Sequence, residues 1–316
     1  MSTYDVDIGK LISEKRELEG GGSYLLCTPD KTIVEVDSLG PNDGILVSSK
    51  DVEDALYEFC KSAIDDYAAE GNNEDVYTFS IYTDTAHGSF VIYINNLESL
   101  NRSVEEALDR DRQRYPDRWD ANGNTAREQL YYEFKYAEAD YPFMYDSMPQ
   151  RLQKWLRIYA CVSMEQPHHL EIEQNYIVEK QLFDSQLFLI AIDVIHRLRH
   201  DFQQLHRTGN FIAYVSAADG VGGDPLTTSQ LLRRCVSDEQ LYKAMPEVKE
   251  QDEAFRRAVS AVRQRSLREQ ILHWVTVIEE WEFSEDSPYS FWNPTTKRTS
   301  SCSGSADPLS LLSGNI

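Results

Sequence analysis

Two stretches decide the fold of this chain: VYTFSIYT (Val76–Thr83) and SFVIYI (Ser89–Ile94). Both are rich in aromatic and β-branched residues, which suit the pleated, half-buried surface of a strand. The five residues between them, Asp84 to Gly88, have the length of a short hairpin loop. The pattern therefore predicts an antiparallel hairpin, which is the clearest β signal in the sequence.

Helical periodicity lies on both sides of this hairpin. Ser48 or Ser49 is a suitable N-cap for the upstream helix, because a serine hydroxyl accepts a hydrogen bond from a free N–H of the first turn. The longest helical pattern is expected to end at Thr208-Gly209-Asn210, and its second part carries one apolar stripe. That stripe comprises Leu187, Ile190, Val194, Leu198, Phe202 and Leu205. The predicted helices cover residues 49–70, 97–114, 125–136, 148–161, 170–206 and 249–281, and further strands cover 24–27, 32–36 and 211–216.

Helices that flank a few, mostly hairpin-linked strands are typical of the α+β class. We therefore expect a mostly helical fold with a small, largely antiparallel sheet built around the hairpin. The composition suggests three regions. They are an N-terminal segment with short strands (1–48), a main α+β domain (49–283), and a Ser- and Pro-rich tail (284–316) that we expect to be disordered.

The negative charge is concentrated in the first half of the chain. The formal net charge is −22; residues 1–150 carry 31 Asp and Glu against 13 Lys and Arg, whereas residues 151–316 carry 22 against 18. Acidic surfaces repel nucleic acid and anionic lipid and attract basic proteins. We therefore expect neither nucleic acid nor a membrane as partner. The acidic region is either a solubilising face or a surface that binds a basic protein.

Cysteine usage and the N-terminus indicate the compartment. The five cysteines are odd in number and include no C-x-x-C pair, so they predict neither a disulfide framework nor a zinc site. Residues 1–10 lack the basic and apolar regions of a secretory signal. The most apolar run, Leu187–Ile192, is too short to cross a bilayer. We expect a soluble cytoplasmic protein.

Motifs that would identify a cofactor or metal site are weak. Gly220-Val221-Gly222-Gly223 lies between a predicted strand and a predicted helix, but it lacks the remaining elements of a nucleotide-binding loop. Flanking Asp219 and Asp224 would repel phosphate, so a flexible turn is the favoured interpretation. His196 and His200 have metal-ligand spacing, but they fall off the apolar stripe beside two arginines, which favours a solvated helix face. We predict no cofactor and no metal.

Catalytic motifs are equally weak. Asp84 and His87 share the hairpin loop, where an aspartate more often turns the backbone than relays protons. The sequence has neither a G-x-S-x-G nor an H-E-x-x-H motif. Because triad residues need not be close in sequence, an unrecognised carboxylate and histidine site stays open as an alternative.

The segment YYEFKYAEADYPFMYD (Tyr131–Asp146) is the strongest candidate for a binding surface, since seven of its sixteen residues are aromatic and four are acidic. Tyrosine offers a large contact area and tolerates partial exposure, and carboxylates around such anchors steer a cationic partner. The alternative is that these rings pack as core over the hairpin. The predicted partner-binding residues are Tyr132, Glu133, Tyr136, Glu138, Asp140, Tyr141, Tyr145 and Asp146.

Several segments resemble a known family. Val76–Asp84, followed by a second strand and by Asn95–Glu98 opening a helix, is similar to the start of the bacterial domain of unknown function 4303. Ala139–Pro142 resembles the middle of that family, and Phe211–Ser216 resembles its later part. The resemblance spans about residues 50–250. It implies an immunity-like protein that accompanies a bacterial polymorphic toxin, and it supplies no catalytic residues.

These observations together predict a cytoplasmic immunity protein, not an enzyme. It would bind a cognate, basic toxin domain through the acidic, Tyr-rich surface and block it. Two alternatives remain: an enzyme with an unrecognised carboxylate and histidine site, and a general protein-binding adaptor. The sequence leaves the oligomeric state open.

Overall fold

The computed structural model describes residues 24–84, 88–114, 123–163, 174–179, 186–217 and 231–279. The chain divides into two compact units. The first comprises Met1–Leu97 and Tyr141–Ala244, and the second comprises Glu98–Asp140 and Met245–Ile316. The domain boundaries predicted at residues 48 and 283 stay predictions, although strands from the N-terminal segment share a sheet with a strand of the predicted main domain.

Helices and strands alternate irregularly along the described chain, which confirms the α+β class. The strands are β1 (Tyr24–Cys27), β2 (Ile33–Val36), β3 (Ile45–Val47), β4 (Val76–Asp84), β5 (Ser89–Asn96), β6 (Phe143–Tyr145), β7 (Tyr176–Glu179) and β8 (Arg207–Ala217). The helices are α1 (Ser49–Ala69), α2 (Leu97–Arg114), α3 (Gly123–Lys135), α4 (Gln150–Ser163), α5 (Gln186–Arg197), α6 (Asp238–Ala244), α7 (Pro246–Arg263) and α8 (Leu267–Glu279).

The predicted hairpin is the centre of the main sheet in the first unit, whose strand order is β6-β5-β4-β8. β4 and β5 are antiparallel and end opposite one another at Asp84 and Ser89. Gly88, at φ +61°, takes the left-handed conformation that glycine adopts most readily. β6 is antiparallel to β5, whereas β8 is parallel to β4. The sheet is therefore small and largely antiparallel, as predicted, with one parallel pair.

The two faces of this sheet differ in chemistry. One face carries Phe79, Ile81 and Ile92, and Phe79 packs edge-on against Phe202 with ring centroids 5.0 Å apart. The opposite face carries the hydroxyls of Thr78, Ser80 and Ser216, which are buried without a hydrogen-bond partner among the described residues. The apolar face therefore forms the core of the unit.

The register between β4 and β8 slips near the start of both strands. Arg207 lies opposite Val76, but Ile212 lies opposite Thr78. β8 thus places four residues where β4 places one, a bulge that bends the strand and re-aims its side chains.

A second sheet in the same unit has the strand order β2-β1-β7-β3. Its antiparallel pairs join β1 to β2 and to β7, and β3 runs parallel to β7. Gly44 precedes β3 at φ +154°, and a Cβ there would lie 2.5 Å from the carbonyl oxygen of Asn175. Only glycine allows the chain to enter β3 this close to the segment before β7.

α1 begins and ends as the sequence predicts. The Ser48 hydroxyl accepts a hydrogen bond from the N–H of Asp51 at 3.1 Å, and Gly71 follows the helix at φ +80°. The buried face of α1 includes Leu56, Phe59 and Tyr67. Arg197 at the end of α5 joins the two helices, since its guanidinium donates to Asp54 at 2.8 Å and lies 4.3 Å from the centre of the Tyr57 ring.

The second unit contains α2, α3, α7 and α8. The predicted helix over 249–281 is wrong in one respect, because it is interrupted after Arg263. Ser266 then caps α8: its N–H and hydroxyl both donate to the carboxylate of Glu269. Pro246 occupies the first turn of α7, where its missing N–H costs nothing.

The longest predicted helix, over residues 170–206, is also wrong. β7 occupies part of that span, and α5 begins only at Gln186. Thr208-Gly209-Asn210, predicted to end a helix, instead lies inside β8. The apolar stripe of this region is confirmed, since all six of its residues are buried.

Some predicted features fall on residues that the structure does not describe. These are the Gly220–Gly223 turn, His87, and the tail from residue 284.

Candidate partner-binding surface

The eight predicted binding residues are divided between the two units. Tyr132, Glu133, Tyr136, Glu138 and Asp140 belong to the second unit, whereas Tyr141, Tyr145 and Asp146 belong to the first.

In the second unit the predicted residues lie at the end of α3, which contains Tyr132 and Glu133, and in the segment directly after it. Tyr132, Glu133, Tyr136 and Glu138 are half-buried, and Asp140 is exposed. The carboxylate of Glu133 accepts a hydrogen bond from Gln129 at 2.9 Å. Burial lowers the pKa of the Lys135 ammonium, which lies 5.1 Å from the centre of the Tyr136 ring. The one base in the predicted segment is thus partly withdrawn from solvent.

The predicted placement of Tyr141 on the binding surface is wrong. Only 6% of it is exposed, and its ring packs edge-on against Tyr77 and Tyr93, with centroids 6.3 and 6.2 Å apart. Edge-to-face packing of this kind is favourable for buried rings. Tyr141 is therefore a core residue and offers no contact area to a partner.

Tyr145 and Asp146 lie at an open edge of the main sheet. Within the described part of the chain, β6 pairs with β5 on one side and with no strand on the other. Met144, between the two half-buried aromatic residues of β6, is 51% exposed, and Asp146 directly after the strand is exposed. An open edge strand presents unpaired backbone groups that another chain can join, and nearby charges restrict which chain does so.

The end of α1 adds carboxylates to this edge. Burial raises the pKa of the Tyr145 hydroxyl, and the nearby carboxylates of Glu70 and Asp66 raise it further. Both carboxylates are exposed. We call Asp66, Glu70, Met144, Tyr145 and Asp146 the acidic edge.

The buried side chain of Tyr67 connects the elements that carry the acidic edge. Its buried ring packs edge-on against Phe143 of β6, with centroids 4.9 Å apart. Its hydroxyl donates to the Asn72 carbonyl and accepts from the Asn96 amide, both at 3.0 Å. Burial is the main cause that raises the pKa of Tyr67 to about 12. One side chain therefore ties the end of α1 to both β5 and β6.

The sequence did not single out Asp66 and Glu70. The available signal was charge density, because residues 51–100 contain eleven Asp and Glu but only one Lys and no Arg. Those acids lie far from Tyr145 in sequence, and the fold brings two of them to it.

The histidine and cysteine candidates for metal binding or catalysis have structural roles in the described residues. His196 lies between the carbonyl of Arg234 and the guanidinium of Arg199, each at 3.0 Å, and is no metal ligand in this arrangement. Cys27, Cys60 and Cys235 are buried, and burial raises the pKa of both Cys60 and Cys235. Among the described residues, no group of His, Cys, Asp and Glu has the arrangement of a metal site. Likewise, no described helix combines the length and apolar character needed to span a bilayer.

The chain belongs to the family of a domain of unknown function (DUF4303), whose model matches residues 56–234. This match confirms the predicted family resemblance and covers β4, β5, β6 and β8, together with most of α1. No curated protein and no solved structure matches the chain.

Proposed function

We propose that this protein is a cytoplasmic immunity protein that binds a basic bacterial toxin domain and neutralises it. The acidic edge carries the proposal, since it combines an open strand, a half-buried tyrosine and three exposed carboxylates within one unit. A basic protein domain meets all three features at once. Backbone pairing to β6 supplies affinity, and the carboxylates supply selectivity and a fast encounter.

The placement of Asp66 and Glu70 supports this proposal. α1 has no basic residue in its last turn, and Glu70 occupies its C-cap. Negative charge at a helix C-terminus opposes the helix dipole, at a cost of about 0.3–1 kcal/mol per residue. A role in binding accounts for the presence of Asp66 and Glu70 at the end of α1, where both carboxylates weaken the helix.

The half-buried carboxylates of the second unit are a further candidate contact. Glu133 and Glu138 lie in a segment that also contains Tyr132 and Tyr136. Their contribution is separable by experiment, because they belong to a different unit from the acidic edge.

The test uses the protein encoded beside this one in the source genome, with association measured by surface plasmon resonance and protection measured by cell survival. The variant replaces Asp66, Glu70 and Asp146 together by Lys. We expect association to slow by about tenfold or more at low salt, because electrostatic steering contributes 10- to 1000-fold. Protection should fall in parallel.

The matched control replaces Glu106, Asp111 and Glu250 by Lys, which gives the same change in charge at three exposed carboxylates of the second unit. It should associate and protect like the parent. Equal behaviour of the two triple variants, whether both lose association or neither does, would mean that the acidic edge is not the binding surface. Absence of any complex with the parent would remove the proposed function itself.

A further inference from the structure

A cleft of about 620 Å³ lies at the other edge of the main sheet, within the first unit. One wall comes from α5 and the turn after it, and the other from β8 and the segment that leads into α6. Its volume lies in the range of small-molecule sites. We call it the arginine cleft; its principal lining residues are Arg199, Phe202, Arg207, Thr208, Phe211 and Gln240.

Two arginines of this cleft have no carboxylate partner among the described residues. Arg199 contacts His196, and Arg207 lies 5.3 Å from the centre of the Phe211 ring. Arg197, two residues away on the same segment, is instead held by Glu53 and Asp54. In a chain with a net charge of −22, two arginines without carboxylate partners beside one cleft form a local field of opposite sign.

The orientation of Arg199 is fixed by a histidine. Because a guanidinium only donates, the Nδ1 atom of His196 must accept from it at 3.0 Å. The Nε2 atom then carries the ring proton and donates to the Arg234 carbonyl, also at 3.0 Å. His196 is thus a positioning residue that holds Arg199 at the cleft.

The rest of the lining mixes apolar rings with polar groups, of which Ser237 and Gln240 already make hydrogen bonds within the protein. The rings of Phe202 and Phe211 meet edge-on with centroids 5.5 Å apart, and both residues are buried. The Oγ1 atom of Thr208 is buried without a hydrogen-bond partner among the residues that the structure describes. A buried hydroxyl of this kind costs free energy unless something bonds to it.

We propose that the arginine cleft binds a small organic anion, with a phosphate or carboxylate group between Arg199 and Arg207 and an aromatic body against Phe202 and Phe211. Arginine forks match the geometry of both anionic groups, and charge-assisted hydrogen bonds are about twice as strong as neutral ones. The Thr208 hydroxyl supplies a further donor to the anion. This site is separate from the acidic edge, so it stands or falls independently of the proposed immunity function.

The test is calorimetric titration of the full chain with four probes. Phenyl phosphate and benzoate carry both an anion and a ring, inorganic phosphate carries only the anion, and benzyl alcohol carries only the ring. We expect saturable one-site binding of phenyl phosphate or benzoate, with the stronger of the two identifying the anionic group. Inorganic phosphate and benzyl alcohol should bind at least tenfold more weakly.

Three variants locate the site. Arg199→Gln and Arg207→Gln should each weaken binding of the better probe by about tenfold or more, and Thr208→Val by about threefold. Arg268→Gln removes the same charge from an exposed position on α8 and should bind like the parent. Thr208→Val keeps the side-chain shape, so it remains informative if an arginine variant fails to fold.

Three outcomes would overturn the proposal. They are no saturation by either ring-bearing anion, equal binding of inorganic phosphate and phenyl phosphate, and equal loss of binding in Arg268→Gln and the cleft variants.

Discussion

The two edge strands of the main sheet, β6 and β8, differ in what covers them. At β6 no further strand pairs with the edge within the described ranges, Met144 is exposed, and the carboxylates of Asp66, Glu70 and Asp146 lie nearby. At β8 the edge is covered: Gln240 donates to the Phe211 carbonyl at 2.6 Å, and Cys235 is buried. The first edge leaves backbone groups exposed, whereas the second presents side chains around a cleft. Equal positions in one sheet therefore differ in the kind of surface that they offer.

The covered edge should contribute far more to stability than the open one. Phe202→Ala removes a ring that is 3% exposed and touches both Phe79 and Phe211, so we expect a loss of about 3–5 kcal/mol in the free energy of unfolding. Phe143→Ala removes a half-buried ring at the open edge and should cost roughly half as much. Urea denaturation followed by circular dichroism measures both. Equal losses would contradict the idea that the cleft edge is part of the core and the acidic edge is peripheral.

The stability of the region around the acidic edge should depend on the buried hydroxyl of Tyr67. Tyr67→Phe leaves the Tyr67–Phe143 ring contact in place but removes the hydroxyl that bonds to Asn72 and Asn96. Because buried polar groups then lose a partner, we expect a loss of about 1–3 kcal/mol. Urea denaturation checks this loss, with Tyr131→Phe in the second unit as the control for removing a tyrosine hydroxyl. A loss no larger than that of the control would show that Tyr67 does not hold the edge in place.

The smallest expected change is an increase, not a loss, in the free energy of unfolding. Glu70→Lys replaces a carboxylate at the C-terminus of α1 by a cation, which favours the helix dipole and should raise the free energy of unfolding by about 0.3–1 kcal/mol at low salt. Glu58→Lys, an exposed change in the middle of the same helix, should give no such gain. Thermal unfolding in low and high salt measures both changes. A stabilised Glu70→Lys variant that still binds its partner normally would separate the charge of Glu70 from recognition.

The sequence was sufficient for elements that local pattern determines. The hairpin, α1 with its Ser48 cap, and α2 from Leu97 to Arg114 follow from alternation, capping and punctuation within a few residues. The break before α8 had a usable signal as well, because Ser266 followed three residues later by Glu269 is a capping box.

Elements that depend on distant partners were out of reach. β3, β6 and β7 have three or four residues each, and each pairs with a strand far away in sequence. A segment that short carries too little periodicity to be separated from a loop or a helix turn. The same limit applies to the candidate sites. Tyr145 and Asp66 are far apart in sequence and come close only in the folded protein, and Arg199 and Arg207 line one cleft only because of the fold.

The register slip between β4 and β8 has a consequence for how related chains diverge. The slipped residues, Thr208 to Phe211, supply part of the arginine cleft, while the pairs from Thr78 onward keep their alignment. A deletion or insertion at the slip would reshape the cleft and leave the hairpin partners of β4 unmoved. A change of chain length at this one point can therefore alter the cleft without disturbing the hairpin.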